Sequence, residues 1–502
     1  MKWIQRLFAP KTPPHPEPRP RFPEPVSAEN LRAVFADCGD FSLREVRLGG
    51  GGLTAALCSL EGLVDGATVS EDVLRPLTDP ERFGGVGDIP AAARLLREGM
   101  AHYYSAKELT AMDEVVSLLL EGWCALVFPG LAVAFETKQP KGRSVEKSEL
   151  EKGVKGAKDS FNELYRVNTA LLRQRLRTPD LKLRELKVGR RSGTRVAVAY
   201  IQGLTDPRVV SELEKRLSAI DVDALLTTGT LEEYLLPRRS PFPQFSFTER
   251  PDRFAQELLN GRAGLLVDGL PLGVLTQGTL AEQLKVTEDK AGHWLTASLL
   301  TLLRFAAMLI SLLLPALYVA VTVYHQEMIP TRLLLSIIQT KQDVPFSTAA
   351  ETLGMLLAFE LLQEAGLRLP EAVGQTVSII GALIVGQSAV EAKVLSPIVV
   401  IVVAVSGITG YTMPDQDLAT ALRLCRLLLV LLGLTLGLFG LVLGMALLLW
   451  YLCSLESFGT AYLAPFCDGG LKEVLRALLR LPQRLTKERP ADLHPRDVRN
   501  QR

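Results

Sequence analysis

Two stretches decide the fold: LLRFAAMLISLLLPALYVAVTVY at 302–324 and LLLVLLGLTLGLFGLVLGMALLLWYL at 427–452. Arg304 is the only charge in the first, and the second holds none. A hydrocarbon core about 30 Å thick is crossed by roughly 20 apolar helical residues, so each block is long enough to span a bilayer. Before residue 295 charged side chains are dense. The chain therefore reads as a water-soluble front joined to a lipid-embedded back. The expected fold class is an α/β soluble N-terminal region of two related subdomains, followed by an all-α multi-span transmembrane domain.

The 502 residues suffice for two or three units. A net charge of +1 supplies no global field for nucleic acid. The six cysteines (Cys38, Cys58, Cys124, Cys425, Cys453, Cys467) form no C-x-x-C, and no His pair has metal-ligand spacing. They read as reduced or lipid-facing small apolar residues. The N-terminus is basic and lacks an apolar region long enough for a signal peptide, so the front half is expected in the cytoplasm. Residues 1–26 form a proline-rich tail expected to be extended and mobile.

The soluble half contains an internal echo. DEVVSLLLEGWCALVFPGLAVAFET (113–137) aligns without a gap with DRFAQELLNGRAGLLVDGLPLGVLT (252–276). Gly122 meets Gly261, and Gly130 meets Gly269. Each copy reads as a helix closed by glycine, a short apolar strand, a tight turn and a second apolar strand. Between the copies, 155–181 suggests a helix whose end carries Arg173, Arg175 and Arg177. Residues 194–204 suggest a β-branched strand and 207–225 an amphipathic helix. The subdomains are expected over 27–145 and 146–292, with the boundary near 141–151.

Catalytic patterns are missing. The tetraglycine at 49–52 lacks the G-K-[ST] of a phosphate loop and reads as a turn. Asp221 and Asp223 read as a solvated turn, not an acid/base pair. The chain is expected not to be an enzyme and to need no cofactor or metal.

Within the membrane domain (293–466), spans are expected at 302–324, 373–390, 395–413 and 424–452. Arg304 is placed to snorkel toward headgroups. The helix at about 347–366 carries Glu351, Glu360 and Glu364, too many carboxylates for a lipid-surrounded span. It reads as partly inserted, packed among other helices with its acidic face wet, or as a solvated loop helix. Glu360, Glu364, Gln375 and Gln387 are candidates for a polar path. Gly374, Gly381, Gly386, Gly433, Gly437, Gly440 and Gly444 are candidates for close helix packing. The basic tail, 467–502, is expected in the cytoplasm by the positive-inside rule.

Several long motifs are similar to one family. SPFPQFSFTERPDRFAQELLNGRAGLLVDG (240–269), the stretches at 305–337 and 364–408, and SFGTAYLAPF (457–466) resemble the spore germination receptor A-subunit family of the GerA type. Its stage V sporulation paralogues share the same domain. The chain departs from the family at KGAKDSFNE (155–163), where a G-P-R-E-G-F-x-E segment is usual. The resemblance implies a subunit of a germinant receptor in the inner membrane of bacterial spores, with both termini cytosolic. It implies a transporter-like B subunit and a lipoprotein C subunit as partners, and homo-oligomers forming a nutrient-gated ion channel. The alternative is a non-conducting scaffold that transmits a signal. The basic helix end at Arg173, Arg175 and Arg177 is a candidate contact between subunits or with a partner's phosphates, with a solvated face as the alternative.

Overall fold

The computed structural model describes residues 22–500 apart from 84, 102–104, 139–150, 152–155, 237–239 and 369–385, and leaves out the side chains of 366–368. Most of the proline-rich tail, most of the 141–151 boundary, and most of the 373–390 span with Gly374, Gln375 and Gly381 lie outside the described residues.

The soluble front holds two antiparallel five-stranded sheets. The first comprises β1 (Phe41–Arg47), β2 (Thr54–Leu60), β3 (Ala106–Leu109), β4 (Cys124–Phe128) and β5 (Leu131–Phe135). The second comprises β6 (Leu181–Val188), β7 (Thr194–Ile201), β8 (Ser246–Thr248), β9 (Gly264–Val267) and β10 (Gly273–Leu275). Their strand orders, β1-β2-β4-β5-β3 and β6-β7-β9-β10-β8, are one topology used twice. The main helices of this front are α1 (Met112–Leu120), α2 (Tyr165–Arg175), α3 (Pro207–Ser218), α4 (Thr228–Leu235) and α5 (Pro251–Asn260).

The repeated motif builds equivalent pieces: α1 feeds β4 and β5, while α5 feeds β9 and β10. Gly122 and Gly261 close their helices at φ 88° and 109°. Gly130 and Gly269 both stand at φ 83° in the turns that follow. This left-handed backbone is where glycine avoids the Cβ penalty of other residues.

Alternation along the strands supplies both faces of each sheet. Ala125 and Val127 of β4 join one apolar cluster, with Leu119 and Trp123. Cys124, Leu126 and Phe128 join another, with Phe83 and Leu96. A period of two sends successive side chains to opposite faces, so a strand buried on both sides reads as an unbroken apolar run. The tetraglycine lies in the β1–β2 turn, as expected.

Arginines tie the two subdomains together. Arg173 of α2 donates from Nε to Asp40 Oδ2 at 2.7 Å and from Nη2 to Asp40 Oδ1 at 3.0 Å. Both side chains are 1% exposed. Arg166 pairs with Glu61 and Glu185, at 2.9 and 2.7 Å. The expectation that Arg173 faces a second subunit is thus corrected: its fork is satisfied within the chain by a carboxylate just before β1. Arg175 bonds Asp159 at 2.5 Å, leaving Arg177 as the exposed member of the trio.

The apolar back begins at α6 (Trp294–Tyr324), which runs without a break through Pro315. It continues with α7 (Thr331–Lys341), α8 (Thr348–Arg368), α9 (Pro397–Gly410) and α10 (Gln416–Ser454). By length and composition α6 and α10 can each cross a membrane. Arg304 does not reach for headgroups: it grips Asp289 in the soluble front at 2.6 and 3.0 Å.

The long block expected as one span at 424–452 is folded back on itself. Within α10, Gly437 has φ 62° and ψ −143°, a non-helical conformation. The two arms, 416–436 and 438–454, lie side by side. A Cβ on Gly444 would stand 2.6 Å from Leu429 Cδ2, and one on Gly440 would strike the Leu432 carbonyl. Residues 15 apart in one straight helix are about 22 Å apart along its axis, so such contacts need a reversal. The described glycines of this stripe sit at close approaches within the one chain. Gly440 and Gly444 admit the opposing arm, while Gly433 and Gly437 admit α6 near Ala316 and Tyr324.

After α10 the SFGTAYLAPF motif forms a hairpin of β11 (Glu456–Ser457) and β12 (Thr460–Ala461). Tyr462 is fully buried and donates its hydroxyl to Gln283 Oε1 at 2.7 Å. The basic tail, with α11 (Leu471–Leu478), returns along the soluble front. Arg489 Nε donates to the Leu259 carbonyl at 2.7 Å, and the Arg496 amide to Leu204 at 2.9 Å. Tail and soluble front therefore sit at the same end of the helices.

Candidate functional site

Among the described residues, two clusters bring charged side chains of α7, α8 and α10 together. In the first, Arg426 from the first arm of α10 is 2% exposed and pairs with Glu360 Oε1 of α8. Its Nη1 donates to Ser406 Oγ of α9 at 3.1 Å, and that hydroxyl donates to the Ser311 carbonyl of α6 at 2.8 Å. Arg423, one turn earlier, approaches Glu360 Oε2 at 3.4 Å and donates to Gln363 Oε1 at 3.0 Å. One polar chain thus links four helices at a depth where their other neighbours are apolar. Pro315, four residues from Ser311, withholds the amide that would otherwise bind that carbonyl.

In the second cluster Glu351, 1% exposed, pairs with Lys341 of α7 at 3.2 Å. Its Oε2 accepts the Ser396 amide at 2.8 Å, at the start of α9. Glu351 beside Ser396 and Phe359 against Gly407 show that α8 and α9 run parallel. The acidic helix packs against α6 and α9 and meets α10 through Glu360. Its acidic face is not uniformly wet, because Glu351 and Glu360 are paired with cations. Burying unpaired charge in such surroundings carries a large desolvation penalty.

The remaining path candidates separate. Glu364 is exposed on α8. Gln387 is exposed and donates to Glu391 at 2.9 Å, within a polar break that also holds the Lys393–Asp343 pair. It lies at an end of the helices and apart from Glu360. A Cβ added at Gly386 would meet Val400 Cγ1 of α9 at 3.5 Å, an ordinary van der Waals distance, so this glycine is not needed for a close approach. Sequence reasoning missed Arg423 and Arg426, whose three-residue spacing at the head of the last apolar block puts both on one helix face.

A second polar region lies where α4 of the soluble front faces the start of α10. Here a cavity of about 580 Å³ is lined by Glu232, Arg250, Arg253, Lys285, Asp415 and Asp417, among others. Burial pushes the Glu232 carboxyl up to about 7, with Asp417 and Asp415 adding to the shift. The fold therefore favours the protonated acid, whose ordinary value is 4.5. The stability this contributes is fully present below that value and is lost as pH rises to about 7. Thermal unfolding from about pH 5 to about pH 8 is expected to show the midpoint falling with pH, and Glu232→Gln flattening that fall. Parallel curves for the two proteins would remove Glu232 from the pH dependence.

Comparison with known proteins places these features in context. Residues 29–492 match the model of the family described as Bacillus/Clostridium GerA spore germination protein. The chain is 36% identical over 469 residues to the uncharacterized membrane protein YfkQ of Bacillus subtilis (strain 168), covering 92% of this chain and 90% of the relative. It is 34% identical over 489 residues to spore germination protein KA of the same organism, covering 95% and 89%. Among solved structures, it is 28% identical to the N-terminal domain of the A subunit of the Bacillus megaterium spore germinant receptor GerK3. That match has a TM-score of 0.40 and covers 50% of this chain and 94% of the other.

Proposed function

The chain belongs to the Bacillus/Clostridium GerA spore germination family, and from that premise we propose that it is the A-type subunit of a germinant receptor in the spore inner membrane. In this reading, copies of the chain assemble into a nutrient-gated ion channel and work with a transporter-like B subunit and a lipoprotein C subunit. Both termini are cytosolic, in keeping with a tail that packs on the soluble front.

The observation that carries the channel reading is the polar chain Glu360–Arg426–Ser406–Ser311, which joins four helices otherwise packed by apolar and small side chains. Charged rings and polar stations set the preference of ion pores. A carboxylate held by two arginines gives a gate a simple chemistry: closed while paired, available to a cation when the helices part. The pairing also favours the second reading, a scaffold that transmits a signal without conducting, since a permanently neutralised Glu360 attracts no ion.

Bilayer recordings of the purified, assembled chain separate the two. The channel reading expects unitary currents whose cation selectivity or conductance changes in Glu360→Gln. A wild-type oligomer that assembles and stays silent supports the scaffold. Currents that are identical in Glu360→Gln remove Glu360 from the path.

A further inference from the structure

Two exposed thiols meet at the point where the last helix leaves the apolar layer. Cys453 lies in the last turn of α10 and Cys467 just beyond the SFGTAYLAPF motif, with their Sγ atoms 3.3 Å apart. The other four cysteines are buried. A disulfide has a sulfur–sulfur distance of about 2.0 Å, so the pair needs to close by little more than an ångström. The intervening loop holds β11 and β12, Tyr462 anchored to Gln283, and the Leu280 amide bonded to the Tyr462 carbonyl at 3.0 Å. Ser454, Glu456, Phe458 and Gly459 of that loop also form one wall of a cavity of about 630 Å³, shared with Arg208 of α3 and His494 of the tail.

We propose that Cys453 and Cys467 are a modification site, at which a low-molecular-weight disulfide oxidises them to an intramolecular disulfide that clips the end of α10 to the loop docked on the soluble front. Either thiol is placed to donate to the other. Partial desolvation and the contact with Cys453 push the Cys467 thiol up to about 11, so Cys467 is assigned the resolving step. The Cys453 thiolate displaces one thiolate from the oxidant and forms a mixed disulfide. Cys467 then gives up its proton, attacks the Cys453 sulfur and releases the second half of the oxidant as a thiol. Two electrons pass from the cysteine pair to the oxidant, which leaves as two thiols. The ring so closed fixes the wall of the cavity and the joint between the apolar helices and the soluble front.

The test uses the full chain in detergent, fully reduced and then treated with oxidised glutathione. Intact-mass measurement is expected to show the loss of two hydrogen atoms, and alkylation of the native protein should drop from two exposed thiols to none. Cys467→Ser is expected to stop at a stable glutathione adduct on Cys453, since the resolving thiol is missing. Peptide mapping must place the bridge between 453 and 467. Wild-type protein that stays fully alkylatable, retains glutathione adducts, or forms disulfide-linked dimers overturns the proposal.

Discussion

Replacing Asp40 by alanine is expected to destabilise the soluble front by about 3–5 kcal/mol, the usual penalty for leaving one member of a buried ion pair without its partner. The reason lies in burial and geometry together. Arg173 and Asp40 are each 1% exposed, and both carboxylate oxygens are engaged by separate nitrogens of one guanidinium. Without Asp40, the buried Arg173 charge keeps the Thr178 carbonyl, at 3.0 Å from Nη1, and the neighbouring Cys38 thiol, but no carboxylate. Arg173→Lys, with Asp40 in place, retains the charge but not the planar fork, and is expected to cost less than Asp40→Ala while still destabilising. The double change Asp40→Leu with Arg173→Met is expected to restore most of the stability lost in Asp40→Ala, because apolar replacement of a buried pair removes both desolvation penalties. Chemical unfolding followed by far-UV circular dichroism, with domain-resolved proteolysis, reads the difference. A change below about 1 kcal/mol in Asp40→Ala would place the pair among surface-like contacts.

The same pair shows what was legible in the chain and what was not. Two copies of one helix-and-hairpin motif are visible as aligned glycines and apolar runs, and the identical strand orders follow from them. The basic end of α2 was also visible, but three arginines at spacing two and two say nothing about which finds a carboxylate. Asp40 lies more than a hundred residues away, and the pairing of residues 37–39 with Leu183 of β6 brings it in. The charge cluster around Glu360 was half legible for the same reason: a carboxylate in an apolar helix signals a partner without naming it. Arg426 sits inside a run so greasy that it reads as the edge of a span. The reversal in α10 escaped because hydropathy measures solvent preference and is blind to direction. Its turn carries no charge and only one hydroxyl, Thr435, and glycine recurs at 433, 437, 440 and 444. Length was the available signal: 39 helical residues reach about 58 Å, far beyond the roughly 30 Å of hydrocarbon.

Gly437→Val is therefore expected to have the largest consequence of any single change in the apolar half. At φ 62° and ψ −143° the backbone occupies a region essentially reserved for glycine, and forcing a side chain there costs of order 1–3 kcal/mol. A Cβ would also lie 2.9 Å from His325 Cε1 and 3.2 Å from Tyr324 Cβ, adding an overpacking penalty of about 1–3 kcal/mol. Tyr324 caps the reversal by donating its hydroxyl to the Leu434 carbonyl at 2.7 Å, so displacing it exposes a carbonyl at the end of the first arm. The alternative open to the variant is a single continuous helix, which ordinary residues accept without strain. That outcome moves residues 454–502 to the opposite end of the helices and strips the tail from the soluble front, where Arg489 and Arg496 now bind Leu259 and Leu204. Protease protection in oriented vesicles reads this directly. In the wild type the tail is expected to be cleaved from the same side as the soluble front. In Gly437→Val the chain is expected either to accumulate several-fold less or to show its tail protected where the front is cut. Wild-type abundance together with an unchanged cleavage pattern would mean that the reversal does not depend on the glycine.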